Sequence, residues 1–176
     1  MTVWTVGHST RTADEFVALL QAHEIELVAD VRRFPASRRH PHFAREQLQP
    51  MLASHGIAYA GMPVLGGRRT PRKDSPNTGW RVAAFRGYAD YMQTTEFAEA
   101  LTALLDAASA KRTAVMCAES LWWQCHRRLI ADQLVASGHE VLHIQSKDVV
   151  GPHKLIPPAS IRDGQLSYAA EQRELL

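Results

Sequence analysis

Short apolar runs alternate with longer amphipathic segments along most of the chain. The runs are rich in β-branched residues and predict buried strands over 3–6, 25–31, 57–60, 113–117 and 140–144. The segments between them have apolar residues at helical spacing, and they predict helices over about 12–23, 44–54, 88–108 and 125–136. We therefore predict a single α/β domain over 1–176, with a mostly parallel sheet of about five strands and helices on both faces.

Capping residues and a proline bear on the helix boundaries. Thr12 with Glu15 three positions later matches a capping box. Thr94 or Thr95 is expected to restart a helix within the segment 88–108. Pro50 lies inside a predicted helix, where its missing N–H predicts a kink or a restart.

Two segments lack a repeating pattern. Residues 61–85 predict a long irregular loop or lid, because loops of this length in compact domains are generally functional or mobile. Residues 145–176 predict a C-terminal extension, in which Asp163-Gly164 marks a hairpin turn.

The predicted topology brings polar residues to one edge of the sheet. In open parallel sheets, ligands bind outside the carboxyl ends of the strands, near the point where the strand order reverses. The residues just beyond the predicted strands are Gly7 to Ser9, Asp30 to Arg32, Cys117 to Glu119 and His143 to Gln145. We expect them to share one crevice.

Positive charge is concentrated in one part of the chain, although the formal net charge is only +2. Residues 32–86 contain eleven Lys or Arg and two acidic residues, whereas the rest of the chain contains nine and sixteen. This asymmetry predicts a positively charged face or mouth; the alternative is a solvated basic surface without a ligand. Arg32, Arg38 and Arg86 flank strand ends or helix starts, where a guanidinium can bind phosphate in bidentate fashion.

Both cysteines lie in one stretch, CAESLWWQCHRR, at residues 117–128. Cys125 is predicted in the first turn of a helix, where unpaired N–H groups, the helix dipole and the nearby Arg127 favour a thiolate. Cys125 is therefore a candidate nucleophile; the alternative, which also applies to Cys117, is a buried thiol that only packs. The stretch has neither the Cys-x5-Arg spacing of cysteine phosphatases nor the compact loop of rhodanese-type sulfur transferases.

Glu119 and His8 are the candidates for proton transfer. Glu119 follows a strand end, where its carboxylate can face the crevice; the alternative is an ion pair with Arg127, Arg128 or Arg32. His8 can act as a base or donate to an anion, or it can be a loop histidine that bonds nearby backbone.

A metal site is a further alternative, since Cys117, Cys125, His126 and His8 are ligand types that suit zinc. Adjacent residues on a helix point about 100° apart, which makes joint ligation by Cys125 and His126 awkward. We therefore predict no metal ion. The chain also lacks a GxGxxG fingerprint, and no cofactor is expected.

Several motifs resemble one known family. They are TVGHST at 5–10, LVADVRRFPASR at 27–38, LGG at 65–67, FRGYADYMQTTEF at 85–97, MCAES at 116–120, CHR at 125–127 and VLHI at 141–144. In this order they are similar to the domain-of-unknown-function family 488. The resemblance implies a compact α/β domain without a settled activity and with a shared polar pocket. The pocket positions that it implies are His8, Ser9, Asp30, Arg32, Ser37, Arg86, Tyr88, Cys117, Glu119, Cys125, His126 and Arg127.

We predict an enzyme that acts on a phosphate-bearing ligand, such as a nucleotide or the end of a nucleic acid. The predicted catalytic residues are Cys125, Glu119 and His8. The predicted ligand-binding residues are Ser9, Arg32, Ser37, Arg86, Tyr88, His126 and Arg127. The alternative is a non-enzymatic nucleic-acid binding module that uses residues 32–86, where Trp80, Tyr88 and Tyr91 either stack on bases or pack in the interior.

The chain lacks the features of exported and membrane proteins. No apolar stretch approaches the roughly 18 residues of a membrane span, and the first residues lack the pattern of a secretion signal. Two cysteines do not make a disulfide framework. We expect a cytoplasmic protein with reduced thiols and no membrane partner; the pattern indicates no oligomeric state.

Overall fold

The computed structural model describes residues 1–36 and 38–170. The strands are β1 (Thr2–Gly7), β2 (Leu27–Asp30), β3 (Ala58–Gly61), β4 (Thr113–Cys117), β5 (Glu140–Ile144), β6 (Val150–Pro152), β7 (Ser160–Arg162) and β8 (Gln165–Ser167). The α-helices are α1 (Ala13–Ala22), α2 (Arg45–Ser54), α3 (Ala83–Tyr91), α4 (Thr95–Ala110) and α5 (Arg127–Ala136). Short 3-10 helices cover Pro41–Phe43, Pro63–Leu65 and Trp122–Gln124.

Six strands form the central sheet, in the spatial order β3-β2-β4-β1-β5-β6. The first five are parallel, and Trp4 of β1 lies between Ala114 of β4 and Leu142 of β5. The predicted α/β fold with a mostly parallel sheet is therefore confirmed. A sixth strand, β6, pairs antiparallel with β5 inside the predicted C-terminal extension. Its three residues include a glycine and a proline, and such a stretch has no recognisable strand pattern.

The helices cover both faces of the sheet, as predicted. Side chains alternate along β1, so that Val3 belongs to one buried cluster while Trp4 and Val6 belong to the other. Apolar residues of α1 and α2 complete the cluster around Trp4, and those of α3, α4 and α5 complete the cluster around Val3. None of the helices in the described residues is both long enough and apolar enough to cross a membrane.

The predicted helix starts and the hairpin turn are largely confirmed. Thr12 forms a capping box with Glu15, and Thr94 caps α4. The turn between β7 and β8 is Asp163-Gly164, with φ values of 50° and 76°. The helix does not restart at Pro50, because α2 continues through it. Both Pro50 and the residue whose carbonyl it leaves unpaired, Glu46, are exposed, so water can bond that carbonyl.

The segment 61–85 is held down by one buried carboxylate on α3. Asp90 accepts hydrogen bonds from the Arg72 N–H at 2.8 Å, the Ser75 hydroxyl at 2.5 Å and the Asn77 amide at 2.8 Å. The segment also includes a 3-10 turn at Pro63–Leu65, and α3 begins at Ala83, five residues before the predicted helix start. Much of this irregular stretch is therefore anchored to the domain.

Candidate functional site

A cleft of about 830 Å³ opens at the carboxyl ends of β1, β2 and β4. The connections that leave β1 and β2 run to the α1 and α2 face, whereas the connection that leaves β4 runs to α5 on the other face. Neighbouring connections that diverge in this way leave a crevice between them. The predicted site residues that line it are His8, Ser9, Arg32, Tyr88, Cys117, Glu119, Cys125 and His126.

The residues at the carboxyl end of β5 do not join this cleft. His143, Ile144 and Gln145 line a separate cavity of about 180 Å³, together with Arg11 and Trp122. The prediction of one crevice for all four strand ends is therefore wrong for the fourth. The segment between Cys117 and Cys125 separates the two cavities, and Ser120 lines both.

The two cysteines and a histidine meet at the base of the cleft. Cys117 is the last residue of β4, and Cys125 precedes α5 in an extended conformation, with φ of −124° and ψ of 152°. The two sulfurs and a ring nitrogen of His126 lie within 4.8 Å of one another. The backbone N–H of Arg127 donates to the Cys125 sulfur at 3.5 Å. Because Cys125 is not helical, the prediction of its place within the helix is wrong, although it still faces the helix N-terminus.

These contacts give the two thiols very different pKa values. The neighbouring Cys117 thiol, with the charge and the N–H of Arg127, lowers the pKa of Cys125 to about 6 against the opposing effect of burial. The same interaction between the thiols and burial raise the pKa of Cys117 to about 12. Cys125 therefore ionises first, and Cys117 keeps its proton.

His126 is placed to take a proton from Cys125. Its Nε2 lies 3.2 Å from the carbonyl oxygen of Val31, which can only accept, so Nε2 bears the proton in the neutral ring. Its Nδ1 is then free to accept, and it lies 3.6 Å from the Cys125 sulfur. Gly67 allows this packing, since a Cβ there would lie 2.9 Å from Nδ1.

Arg32 is held rigidly at the side of the cleft. Its guanidinium donates to both oxygens of Asp30, at 2.8 and 2.6 Å. Its third nitrogen lies 3.4 Å from Nε2 of His8, whose Nδ1 donates to the carbonyl oxygen of Ser9 at 2.9 Å. Burial and the neighbouring Arg32 lower the pKa of His8 to about 4, although the bond to Ser9 opposes this. His8 is thus a neutral ring, stacked on Phe43, that orients Arg32.

Glu119 faces the cleft, whereas Arg127 holds the segment between the cysteines from outside the cleft. The carboxylate of Glu119 is exposed on the cleft, and it forms no ion pair among residues 1–36 and 38–170. Arg127 is buried outside the cleft, where it donates to the backbone carbonyls of Glu119 and Ser120 and to the hydroxyl of Thr5. Arg127 therefore positions the segment and acts on Cys125 through its charge.

Within the described residues, the other predicted ligand-binding residues, Arg86 and Tyr88, do not present a free polar group to the cleft. Arg86 does not line the cleft, because its guanidinium donates twice to the carbonyl oxygen of Trp80. Tyr88 lines the cleft but is fully buried, and its hydroxyl donates to Leu65 at 2.7 Å. Ser37 lies outside the described residues.

Most of the cleft's positive charge comes from arginines that sequence reasoning did not single out. Arg33, Arg39 and Arg68 line it beside Arg32 and Arg38, and Glu119 is the single acidic residue among the described lining residues. The charge asymmetry of residues 32–86 pointed to these arginines as a group. No local motif marked them individually.

A buried polar chain behind the cleft was not predicted at all. Asp132 accepts from Nε2 of His153 and from the hydroxyl of Tyr168, both at 2.8 Å. Nδ1 of His153 lies 2.9 Å from Nε2 of His143, whose Nδ1 lies 2.6 Å from the hydroxyl oxygen of Thr5. The partners are far apart in the sequence, so no spacing could have indicated them.

The cysteine cluster also has the ligand types of a metal site. Cys117, Cys125 and His126 are the group within the described residues whose ligand atoms converge, and His8 is not part of it. Cys125 is not helical, so the separation of about 100° between adjacent helical residues does not apply to Cys125 and His126. The group has three protein donors, and the charge of Arg127 acts on it, which disfavours a second cation. The absence of a bound metal ion stays a prediction.

Gly7 is required where β1 enters the site. A Cβ at this position would overlap the carbonyl oxygen of Glu119 and lie 3.0 Å from the Arg127 guanidinium. We expect Gly7→Ala to lower the free energy of unfolding by about 1–3 kcal/mol, measured by urea denaturation. The control is Gly151→Ala, where the nearest atom is Gln145 Nε2 at 3.7 Å. Equal stability of the two variants would contradict this packing.

Comparison with known proteins gives one match. No curated protein and no solved structure matches the chain. A family model described as "Domain of unknown function DUF488" matches residues 12–134, a range that includes Arg32 and both cysteines. This match confirms the resemblance drawn from the motifs. The chain belongs to the DUF488 family of domains of unknown function.

Proposed function

We propose that the protein is an enzyme that binds a phosphate-bearing ligand in the arginine-lined cleft and uses Cys125 as its nucleophile. The observation that supports this most directly is the position of Cys125: its sulfur contacts Cys117, His126 and the Arg127 N–H on a cleft with five arginines and one carboxylate. Such a cleft attracts anions, and a thiolate next to a proton acceptor is an activated nucleophile.

The geometry favours attack on an electrophilic carbon rather than on phosphorus. In cysteine phosphatases, backbone N–H groups of the loop after the cysteine surround the phosphate. Here two carbonyls of the segment after Cys117 are turned toward Arg127, and neither cysteine is followed by the Cys-x5-Arg spacing. The arginines would therefore bind the phosphate group away from the reacting carbon.

The described side chains supply the steps of such a reaction. Nδ1 of His126 accepts the thiol proton, the Cys125 sulfur forms a bond to the carbon, and the leaving group departs with its electron pair and that proton. The carboxylate of Glu119 then activates a water molecule, which displaces the sulfur and restores the thiolate. Because this chemistry needs a reduced Cys125, we propose the cytoplasm as its compartment.

Charged and neutral alkylating reagents test the proposal without knowledge of the substrate. The quantity to measure is the rate of labelling by iodoacetate divided by the rate of labelling by iodoacetamide. We expect this ratio to be roughly tenfold higher for Cys125 than for glutathione, because the cleft concentrates anions. Inorganic phosphate should reduce this preference. In the Arg39→Ala/Arg68→Ala variant, whose exposed side chains line the cleft, the preference should fall toward that of glutathione.

Arg162→Ala is the matched control, because Arg162 is exposed on β7 and does not line the cleft. It should keep the wild-type preference. A wild-type ratio equal to that of glutathione, or the same ratio in the cleft variant and the control, would contradict the proposal.

A nucleic-acid binding module is the second candidate, and one exposed aromatic residue favours it. The ring of Phe34 is 64% exposed on the cleft, with the Arg33 guanidinium 5.7 Å from its centre. Trp80, Tyr88 and Tyr91 are buried and do not present their faces to a base. This alternative predicts oligonucleotide affinity that falls steeply with salt, is lost in Phe34→Ala and is unchanged in Cys125→Ser. Fluorescence anisotropy with single- and double-stranded oligonucleotides measures it.

A further inference from the structure

We propose that Cys117 and Cys125 form a reversible disulfide within the cleft after a hydroperoxide oxidises Cys125. The disulfide would switch off the nucleophile, so its regulatory meaning rests on the proposed function. The formation of the bond does not depend on that function.

The positions of the two sulfurs support the proposal. They lie within 4.8 Å of each other, and within the described residues no other ligand-type residue of the cluster except His126 lies beside them. Cys117 ends a central strand, whereas Cys125 lies in an extended residue between a 3-10 helix and α5. Side-chain rotation at Cys125, with a small shift of its backbone, can therefore bring the sulfurs to bonding distance.

The surroundings favour oxidation of Cys125 rather than Cys117. Cys125 receives the Arg127 N–H and faces the proton acceptor of His126, and both contacts support a thiolate, the form that attacks peroxides. Both cysteines line the cleft while their side chains are largely buried, at 8% and 3% exposure. Small hydroperoxides can reach them, whereas a second protein's thiol is kept away.

The reaction proceeds in two balanced steps. The Cys125 thiolate attacks the hydroperoxide, so that an S–O bond forms, the O–O bond breaks, and the alcohol or water leaves after taking up a proton. The Cys117 sulfur then attacks the sulfenic acid, so that the S–S bond forms and hydroxide leaves with the Cys117 proton as water. A dithiol reductant reverses the change by thiol–disulfide exchange.

Thiol counting and peptide mass spectrometry test this on the full chain. After equimolar hydrogen peroxide, we expect the thiols that can be alkylated in the denatured protein to fall from two to none, with one linked peptide pair and no covalent dimer on a non-reducing gel. Dithiothreitol should restore both thiols. In Cys117→Ser, dimedone should trap a sulfenic acid on Cys125, whereas Cys117 in the Cys125→Ser variant should stay reduced.

Several results would overturn the proposal. They are two thiols that remain alkylatable after peroxide, a disulfide only between chains, or a stoichiometric zinc ion in the purified protein that protects both sulfurs. The result of the peroxide experiment does not depend on the result of the labelling experiment with iodoacetate and iodoacetamide. A disulfide without an iodoacetate preference removes only the proposed function, and a preference without a disulfide removes only the switch.

Discussion

Replacing Asp132 by alanine is expected to lower the free energy of unfolding by about 3–5 kcal/mol. Asp132 is fully buried and accepts hydrogen bonds from Nε2 of His153 and the hydroxyl of Tyr168, both at 2.8 Å. Without the carboxylate, both donors stay buried and unpaired, and each costs about 1–3 kcal/mol.

The loss of stability would extend beyond these two contacts, because Asp132 determines which ring nitrogens carry protons along the buried hydrogen-bond chain from Asp132 to Thr5. A carboxylate that accepts from Nε2 of His153 leaves its Nδ1 as the acceptor for His143, whose own Nδ1 then accepts from the Thr5 hydroxyl. Burial, with smaller contributions from His153 and Arg127, lowers the pKa of His143 to about 3, so its ring stays neutral. The Thr5 oxygen in turn accepts from Arg127, which holds the segment between the cysteines.

Urea denaturation of three variants measures this effect. Asp106→Ala is the matched control, because Asp106 is exposed on α4, and its stability should lie within about 0.5 kcal/mol of the wild type. Tyr168→Phe removes one bond to Asp132 and should cost about 1–2 kcal/mol. A loss below about 1 kcal/mol in Asp132→Ala would show that the carboxylate does not organise this chain.

The fold was predictable because its determinants are local and periodic. The β-branched and aromatic run of β1, the capping box at Thr12 and the cap at Thr94 are each visible within a few residues. The position of the cleft was predictable in the same way, since the ends of parallel strands meet at one edge of the sheet. The exception at β5 arises because the segment after Cys117 packs between the strand ends and divides them into two cavities.

The roles of individual charged residues were less predictable, because long-range contacts decide them. Arg127 and Arg86 were both predicted to bind the ligand, yet neither lines the cleft and both donate to backbone carbonyls. The bond between Tyr168 and Asp132 spans 36 residues, and the contact of His126 with Val31 spans 95. Such pairings depend on the assembled sheet and leave no pattern in the sequence.

The second large expected effect concerns the ionisation of Cys125. A pKa near 6, against 9.0 for an ordinary cysteine, corresponds to about 90% thiolate at pH 7 instead of about 1%. Because the thiolate is the reactive form, the rate at which Cys125 is labelled should rise as the pH passes through about 6 and then stay level. Cys117, whose pKa is raised to about 12, should remain unlabelled through this range.

Two substitutions of Cys117 test the cause of this shift. The largest contribution comes from the neighbouring Cys117 thiol. Cys117→Ser retains a donor and should keep the low midpoint, whereas Cys117→Ala removes it and should move the midpoint upward. Equal midpoints in the two variants would assign the effect to Arg127 instead.

The most direct test of the proposed nucleophile is therefore the pH dependence of iodoacetamide labelling in the native protein, followed separately for the peptides that contain Cys117 and Cys125. The proposed thiolate predicts a midpoint near pH 6 for Cys125, with Cys117 unreactive over the same range. A Cys125 midpoint at or above about 8.5, or labelling of Cys117 before Cys125, would contradict it.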